Sequence, residues 1–484
     1  MRMARQSASY RHIFRSTSLF GGVQGLNVLI GIVRNKCVAV ILGPGGMGLL
    51  SLYNATVKLM SDATSMGIAM SGVKTMSARY EEGDEGKLAD AVCLIRSWSV
   101  VVAIMGMVLC IAAAPVLSVY TFGGGYTWQL MLLSPTVALT ALVGGELAVL
   151  KALRQLKSIA RASVWHMVGA LITSVPILYV FGEAGIVPSI VVAAAVQMGL
   201  VAVYAYKACP WRVSLRLSFL RRGMGMVRLG VAFVAAGIMG SGMEFAIRSF
   251  LGHAGSMEVL GLYNAGYMMT MTYGGMIFAA METDYFPRLS AIGQTGEEMS
   301  RCVNRQIEVS LLMISPLLVA LMVGLPVLLP LLYSGNFLPV ADMMRFSILA
   351  LYLRALSLPV AYIPLGQGSA RSYLLMEAVY DLSLLPLVMM CYHCWGLAGT
   401  GIALCMAAVV YIMVLLGYTK HRYGYKLSGK ALCLLCTQMP IGIAAFGCAV
   451  CCNGWKYWLG GCVLVMVSLV YTLWSFVVRT KADE

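Results

Sequence analysis

Charged residues are scarce in this sequence: they make up 11% of its 484 positions, while hydrophobic residues make up 60%. Soluble proteins usually carry about a quarter charged residues, so an ordinary soluble protein is excluded. The strict alternation of apolar and polar residues is also lacking, which argues against a closed β-barrel. The sequence instead contains apolar blocks of about twenty residues, the length of helix that crosses a bilayer. We therefore expect an all-α polytopic membrane protein.

A nucleotide-binding P-loop and any sizeable soluble domain are missing, which excludes direct ATP hydrolysis by this chain. No enzymatic activity and no cofactor are expected, and energy must come from an ion gradient, the membrane potential or the substrate's own gradient. Most of the fourteen cysteines lie in apolar blocks, where a thiol behaves as a small hydrophobe. Cys433 and Cys436 have metal-like spacing but no second ligand pair, and Cys391 and Cys394 flank His393 near a predicted membrane surface. We expect no metal site at either position.

Fourteen segments have the length and hydropathy of membrane spans. They lie near 17–42, 48–78, 91–118, 128–150, 162–181, 185–206, 229–251, 259–287, 307–332, 343–365, 372–392, 397–418, 431–452 and 457–478. Lys and Arg concentrate in alternate loops, which predicts that both termini are cytoplasmic. This asymmetry also accounts for the net charge of +15 without nucleic acid as a partner. The basic N-terminus leads into a full-length span without a small-residue cleavage site, so we interpret it as the first span and not a removed signal peptide.

An internal repeat organises these spans. Leu52-Tyr53-Asn54-Ala55 recurs as Leu262-Tyr263-Asn264-Ala265, 210 positions later, and the same offset pairs Pro176 with Pro386. Such duplication is typical of transporters. We expect two six-helix lobes and two appended helices: an N-lobe at 1–206, a basic cytoplasmic linker at 207–228, a C-lobe at 229–425, and two further spans with a cytoplasmic tail at 426–484. The linker is expected to lie on the inner leaflet and to attract anionic lipid.

Ionisable residues inside spans are costly and by default face a bundle interior or a watery cavity. Here they include Arg96 and Glu146 in spans three and four, Glu282 and Asp284 in span eight, and Arg354 in span ten. The residues that we predict to bind an anionic substrate are Arg34, Lys36, Lys58, Lys74 and Arg248. Because a cation at membrane depth needs an anionic partner, an anionic substrate and a helix-packing ion pair are the alternatives for each. For Arg96 and Arg354, extension of the side chain to the membrane interface is the favoured explanation.

Acidic residues in spans are candidates for H⁺ or Na⁺ coupling. Our candidates are Glu244, Glu377, Asp381 and Asp62. Lys58 with Asp62, and Glu244 with Arg248, have the i,i+4 spacing of neutralising pairs. Glu377 and Asp381 are like charges at that spacing, so one of them is expected to hold a proton or share a cation, unless they only line a solvated wall.

Two stretches resemble a known family. One runs from Lys36 through Leu42-Gly43-Pro44-Gly45-Gly46-Met47-Gly48 to Gly72-Val73-Lys74, and the other runs from Arg248 through Val259-Leu260-Gly261-Leu262-Tyr263-Asn264-Ala265 to Phe286-Pro287-Arg288-Leu289. They are similar to the Wzx-type oligosaccharide flippases, including the lipid III-like ones, of the multidrug/oligosaccharidyl-lipid/polysaccharide (MOP) exporter superfamily. The resemblance covers both lobes, roughly residues 10–425.

The resemblance implies a V-shaped pair of bundles with alternating access in the bacterial inner membrane. It implies transport of an undecaprenyl-diphosphate-linked oligosaccharide (O-antigen, capsule or common-antigen unit) to the periplasmic leaflet, for a polymerase or ligase of the same pathway. Lys36, Lys74 and Arg248 fall on family positions that are basic, whereas Arg34 and Lys58 are chosen from the charge pattern alone. A monomer in the bilayer is expected. Fourteen spans instead of twelve resemble the lipid II flippases, in which the last two helices help to form a groove for the lipid tail.

Three other functions compete with this one. A multidrug or organic-cation antiporter predicts acids in the central cavity, whereas the candidates in the first lobe are mainly basic. A lipid II flippase serving peptidoglycan differs in cargo and would be separated by essentiality and gene neighbourhood. A non-transporting scaffold would tolerate neutral substitutions of Arg34, Lys36 and Arg248.

Overall fold

A computed structural model describes residues 2–292 and 296–483 of the protein. Side chains are described within these ranges except at 2–21, 228–229, 231–233, 235–236, 277, 279–280, 282–284 and 479–483. The predicted residues Glu282 and Asp284 therefore lie outside the described side chains. Every regular element in the described ranges is helical, so the protein is an all-α polytopic membrane protein.

The chain divides into two compact units, Met1–Leu260 and Gly261–Glu484. The helices of the first unit are α1 Arg2–Thr64, α2 Ile68–Glu82, α3 Glu85–Phe122, α4 Thr127–Ala152, α5 Leu156–Phe181, α6 Ile186–Ala208, α7 Leu217–Arg222 and α8 Met224–Ala254, with a 3₁₀ turn at Gly182–Gly185. The predicted lobe boundaries stay a prediction, because compactness alone groups α8 with the N-terminal helices.

The second unit contains most of α9 and all the helices after it. These are α9 Met257–Tyr267, α10 Tyr273–Ala291, α11 Gly296–Leu332, α12 Ala341–Ala361, α13 Ile363–Gly366, α14 Ala370–Tyr423, α15 Gly429–Cys451 and α16 Trp455–Asp483, with a π turn at Met268–Thr272 and a 3₁₀ turn at Gly335–Val340. Within this unit the appended helices α15 and α16 are joined to α11 by buried hydrogen bonds. Gln438 donates to Thr472 at 3.2 Å and accepts from Ser468 at 2.8 Å, and Thr472 donates to the Leu312 carbonyl at 3.3 Å.

Nine helical stretches of the described chain are long and apolar enough to cross a membrane. Three of them, Gly22–Thr64, Leu156–Ala208 and Ala370–Tyr423, have 43, 53 and 54 residues, more than one crossing needs. Each is interrupted by glycine at a boundary between two predicted spans: at Gly43, at Gly182–Gly185 and at Gly396. The number of crossings, fourteen, stays a prediction.

Two of these interruptions repeat one another in sequence and backbone geometry. Gly182-Glu183-Ala184-Gly185 corresponds to Gly396-Leu397-Ala398-Gly399. Gly182 has φ 56° and ψ −132°, and Gly396 has φ 57° and ψ −139°, a region that glycine adopts without steric cost. A Cβ on the second glycine of either motif would lie within 2.8 Å of a backbone oxygen. The motif adds a second, structural observation to the internal repeat.

The predicted second span, 48–78, is corrected by the structure. Helix α1 ends at Thr64 and α2 begins at Ile68, so the chain is unwound at Ser65, Met66 and Gly67. Met66 and Gly67 both have positive φ, 47° and 61°. Such irregular backbone at membrane depth is tolerated where it is buried in protein or lines a cavity.

The hydrophobic core of the first unit lies among α2, α3, α4 and α8. Ile95 and Trp98 of α3, Met76 of α2, Val149 of α4 and Met226 of α8 belong to one buried cluster. Large apolar side chains of the outer helix faces remain exposed, as expected for surfaces in contact with lipid tails.

Candidate functional site

The second half of α1 and the C-terminal half of α8 bring three charged side chains together in the first unit. The Lys58 ammonium lies 2.5 Å from Oε2 of Glu244, and the Arg248 guanidinium donates to Oε1 of the same carboxylate. Among the described side chains, two cations therefore share one acid, and these three groups together carry one positive charge. The Lys58 side chain is 56% exposed and that of Glu244 is 30% exposed, so the cluster can be reached from outside the unit.

The predicted pairing of Lys58 with Asp62 is wrong. Among the described residues, the ion-pair partner of Lys58 is Glu244, which lies 186 positions away in sequence. Glu244 reaches Lys58 because α8 packs against α1, a contact that the spacing of residues along α1 cannot predict. Glu244 and Arg248 do form the pair that their i,i+4 spacing allows.

Arg34 lies in a different environment, where α1 packs against α5. Its Nε donates to the Ser174 hydroxyl at 3.1 Å, and about two turns earlier on α1 Asn27 donates to the Ser163 hydroxyl at 2.8 Å. No contact joins Arg34 to the Lys58 cluster in the described part of the chain. Lys36 is half-buried on α1, and Lys74 is exposed on α2. The five predicted cations thus lie in one unit, and within the described contacts Lys58 and Arg248 are the two that share a partner.

Asp62 faces a cavity of about 280 Å³ inside the first unit. The cavity lies beside the unwound segment between α1 and α2 and is also lined by residues of α3, α4 and α8. Its polar lining consists of Ser61, Asp62, Ser65, Ser99 and Thr140. No side chain in the described ranges pairs with the Asp62 carboxylate.

The two acids predicted in the second unit lie on α14, next to tyrosine side chains. Glu377 accepts a hydrogen bond from the Tyr411 hydroxyl at 3.4 Å, and the ring of Tyr411 packs edge-on against Tyr380 with centroids 5.5 Å apart. Glu377 and Asp381 are both half-buried. Arg354 of α12 interacts electrostatically with Glu377. Arg354 was predicted to extend to the membrane interface, but it lies near Glu377 instead, because α12 packs against α14.

The largest departure from the sequence-based expectations concerns Arg96. Its side chain is 1% exposed and does not extend to the membrane interface as predicted; it forms an ion pair with Glu146, which is 2% exposed. Its remaining donors bond the carbonyl oxygens of Cys209 and Pro210, at the end of α6. The sequence did contain a signal for this pair, since Arg96 and Glu146 are a base and an acid on neighbouring predicted spans. A buried arginine needs such an acidic partner.

Among the described residues, no group of three or more His, Cys, Asp or Glu side chains is arranged to hold a metal ion.

Three solved structures with the same fold are distant from this chain in sequence. The lipid II flippase MurJ in an inward closed conformation superposes with a TM-score of 0.74 at 11% identity, over 96% of this chain and 100% of that one. An inward-facing multidrug resistance MATE family transporter of the MOP superfamily gives 0.71 at 16% identity, over 82% and 94%. A MOP superfamily transporter from Pyrococcus furiosus, described as having a binding pocket of reverse polarity, gives 0.54 at 15% identity, over 84% and 94%.

Sequence comparison identifies the family to which the chain belongs. No curated protein sequence matches this chain. A sequence model described as "Polysaccharide biosynthesis protein" matches residues 37–342, which include Lys58, Lys74, Glu244 and Arg248. This match covers more than half of the chain, and the chain has the fold of the MOP superfamily. The protein is a multi-pass membrane protein that belongs to the polysaccharide biosynthesis protein family.

Proposed function

We propose that the protein is a flippase for an undecaprenyl-diphosphate-linked oligosaccharide. It carries the glycan from the cytoplasmic to the periplasmic leaflet of a bacterial inner membrane by alternating access, with both of its termini in the cytoplasm. The observation that carries this proposal is the arrangement of Lys58 and Arg248 around the single carboxylate of Glu244. Membership in a polysaccharide biosynthesis family and the fold support it.

The charge of the proposed cargo fits this arrangement. A diphosphate carries about two negative charges, and removing it from water without compensation is prohibitive. Hydrogen bonds between ionised partners are about twice as strong as those between neutral ones. A cluster with one surplus positive charge can bind a phosphate oxygen while Glu244 keeps both cations in place. Arg34, Lys36 and Lys74 are proposed to contact the diphosphate during its passage.

The same charges argue against the main alternative. A multidrug or organic-cation antiporter needs acids to bind its substrates. In the first unit the candidate residues comprise five cations and two acids, Asp62 and Glu244. We therefore favour an anionic cargo. A lipid II flippase is the remaining alternative, because its cargo carries the same diphosphate.

Ion coupling completes the proposal. Glu377 and Asp381 in the second unit are proposed to exchange H⁺ or Na⁺ during the transport cycle, with Glu244 and Asp62 as candidates in the first unit. No covalent step is involved, so the protein is proposed as a transporter and not as an enzyme.

Export of glycan in a deletion strain tests the function. Without the protein, lipid-linked oligosaccharide should accumulate on the cytoplasmic side, and the wild-type gene should clear it. Lys58→Met and Arg248→Met should each reduce export by about ten-fold, the effect of losing one charged contact of about 1.4 kcal/mol. Lys58→Arg and Arg248→Lys, which keep the charge, should retain more export than the methionine variants. Lys87→Met removes an exposed lysine near the start of α3 and should leave export unchanged.

The same variants in proteoliposomes separate the alternatives. Flipping of a polyprenyl-diphosphate sugar with no uptake of organic cations supports the proposal. Uptake of organic cations that survives Lys58→Met, without lipid flipping, would replace it by the antiporter. Preference for lipid II over other diphosphate-linked glycans would assign the cargo to peptidoglycan.

A further inference from the structure

The unwound segment between α1 and α2 lies inside a predicted span and is held against α8 by backbone contacts. A Cβ built on Gly67 would lie 2.3 Å from the Gly230 carbonyl oxygen, and one built on Gly230 would lie 2.1 Å from the Met66 carbonyl oxygen. The two backbones can come this close because both positions are glycine. The break is therefore fixed by packing at a point where backbone groups leave the regular helical hydrogen-bond pattern.

The cavity beside this break has an unusual donor set. Its charged group is the Asp62 carboxylate, whose carbon lies 4.0 Å from a Cβ built on Gly237 of α8. Ser99 lines the same cavity from α3; it is 4% exposed, and its hydroxyl has no hydrogen-bond partner in the described structure. The buried hydroxyl of Ser61 also has none. Two unpartnered hydroxyls beside a carboxylate are costly unless a ligand occupies the space between them.

The other two polar residues are fixed by their own hydrogen bonds. Ser65 donates to the Asp62 carbonyl oxygen at 3.0 Å, and Thr140 donates to the Thr136 carbonyl oxygen at 2.8 Å. Their hydroxyl oxygens keep lone pairs for a ligand. The set therefore consists of oxygen atoms with a single negative charge. Oxygen donors suit hard cations, and one carboxylate balances one positive charge.

We propose that this cavity is a Na⁺ site, with Asp62 as the charged ligand and the hydroxyls of Ser61 and Ser99 among the neutral ones. Unwound backbone in membrane helices commonly supplies further carbonyl ligands to Na⁺. The site deepens the proposed function, since it assigns the coupling ion in the first unit to Na⁺ and separates it from the acids of α14.

The site is connected to the Lys58 cluster through the same pair of helices. Asp62 is one helical turn after Lys58 on α1, and Gly237 is about two turns before Glu244 on α8. Asp62 and Gly237 line the same cavity, which therefore lies next to the interface that holds Lys58 against Glu244. Na⁺ at Asp62 stabilises the α1–α8 interface, and its departure loosens the support of the anion-binding cations.

Direct Na⁺ binding tests the site without any glycan lipid. The full chain is purified in detergent, and binding of radioactive Na⁺ and the melting temperature are measured in NaCl and in choline chloride. Wild type should bind Na⁺ and melt at a higher temperature in NaCl. Asp62→Asn should weaken binding by about 100-fold and Ser99→Ala by about ten-fold, the range found when groups around a metal site are removed.

Matched variants separate the site from general effects. Glu82→Gln removes an exposed acid that pairs with Arg79, and Ser347→Ala removes a buried hydroxyl that is already bonded to the Met343 carbonyl. Both should bind Na⁺ as wild type does. A fold control is the melting temperature in choline chloride, which should be similar for all variants. Equal responses to Na⁺ and choline in wild type, or full Na⁺ binding by Asp62→Asn, would overturn the proposal.

These outcomes are independent of the flippase assay. Loss of export in Lys58→Met with normal Na⁺ binding leaves the Na⁺ site standing, and loss of Na⁺ binding in Asp62→Asn with normal export removes the coupling but not the flippase.

Discussion

Arg96 and Glu146 form a bidentate ion pair inside the unit Met1–Leu260. Arg96 Nε lies 2.9 Å from Oε1, and Nη2 lies 3.0 Å from Oε2. The guanidinium also donates to two carbonyl oxygens at the end of α6 and lies over the rings of Tyr206 and Trp211, 5.2 and 5.4 Å from their centroids. The pair therefore joins α3 and α4 to the start of the basic linker.

Breaking this pair should destabilise the protein strongly. Arg96→Met leaves the Glu146 carboxylate buried without a partner, which costs about 3–5 kcal/mol. We expect a large fall in melting temperature in detergent. Arg79→Met is the matched control, because Arg79 pairs with Glu82 at the surface, where an ion pair contributes about 0–1 kcal/mol.

The double variant Arg96→Met with Glu146→Leu adds a second comparison. It leaves no buried charge, so it should recover much of the stability lost in Arg96→Met. If Arg96→Met melts like wild type, then water or a bound proton compensates the Glu146 carboxylate, and the ion pair does not have the stabilising role given to it here.

Much of the fold was predictable, because hydropathy and glycine placement report on helix length. The all-α membrane class is confirmed, and each predicted span lies mainly in helix. The break at Ser65–Gly67 was not predictable, since one glycine among small and apolar residues is a weak signal. Its cause is the close approach of Gly230, which lies more than 160 positions further along the chain.

The site was predictable in its residue types and not in its contacts. Charge at membrane depth identified Lys58, Glu244 and Arg248 from sequence alone. Spacing along one helix then favoured the wrong partner for Lys58, because periodicity carries no information about a helix 186 positions away. For the same reason Arg96 was not matched to Glu146.

The net charge of the Lys58 cluster gives a test that uses its shared carboxylate. Lys58→Met leaves one cation and one acid and should reduce glycan export. Adding Glu244→Gln to Lys58→Met restores a net positive charge through Arg248 and should recover part of the export, as measured in the deletion strain. Equal loss in the single and double variants would mean that position, and not net charge, determines binding.

The expression level and melting temperature of these variants provide the control. Lys58 and Glu244 are partly exposed, so their pairing should contribute about 1 kcal/mol or less to stability. Export that follows protein abundance instead of charge would contradict a substrate-binding role.

The glycine breaks predict a graded set of alanine variants. Gly396→Ala should destabilise the protein by about 1–2 kcal/mol, because an L-residue at φ 57° is strained although no atom lies within 4 Å of its Cβ position. Gly399→Ala should cost more, since its Cβ would lie 2.0 Å from the Cys391 carbonyl oxygen. Gly417→Ala, within regular helix and unobstructed, should be neutral or stabilising by about 1 kcal/mol. Thermal melting that ranks Gly417→Ala as the most damaging would contradict the assigned geometry.

The basic linker should make stability depend on anionic lipid. Ser97 accepts a hydrogen bond from the Ser214 amide at 2.9 Å, and Trp98 donates to the Leu220 carbonyl at 3.1 Å, so the segment is fixed along α3. Its exposed residues combine basic and large apolar side chains: Trp211, Arg212, Leu215, Arg216, Leu217, Arg221 and Arg222.

A basic residue near an anionic membrane surface contributes about 1 kcal/mol, so replacing the four exposed linker arginines, Arg212, Arg216, Arg221 and Arg222, by glutamine should remove most of the stabilisation that phosphatidylglycerol gives over phosphatidylcholine. Melting in nanodiscs of the two lipids measures the difference. High salt should weaken the effect in wild type, because the Debye length falls to about 3 Å at 1 M salt. A lipid preference that persists in the quadruple variant and at high salt would place the anionic-lipid contacts on other surfaces of the protein.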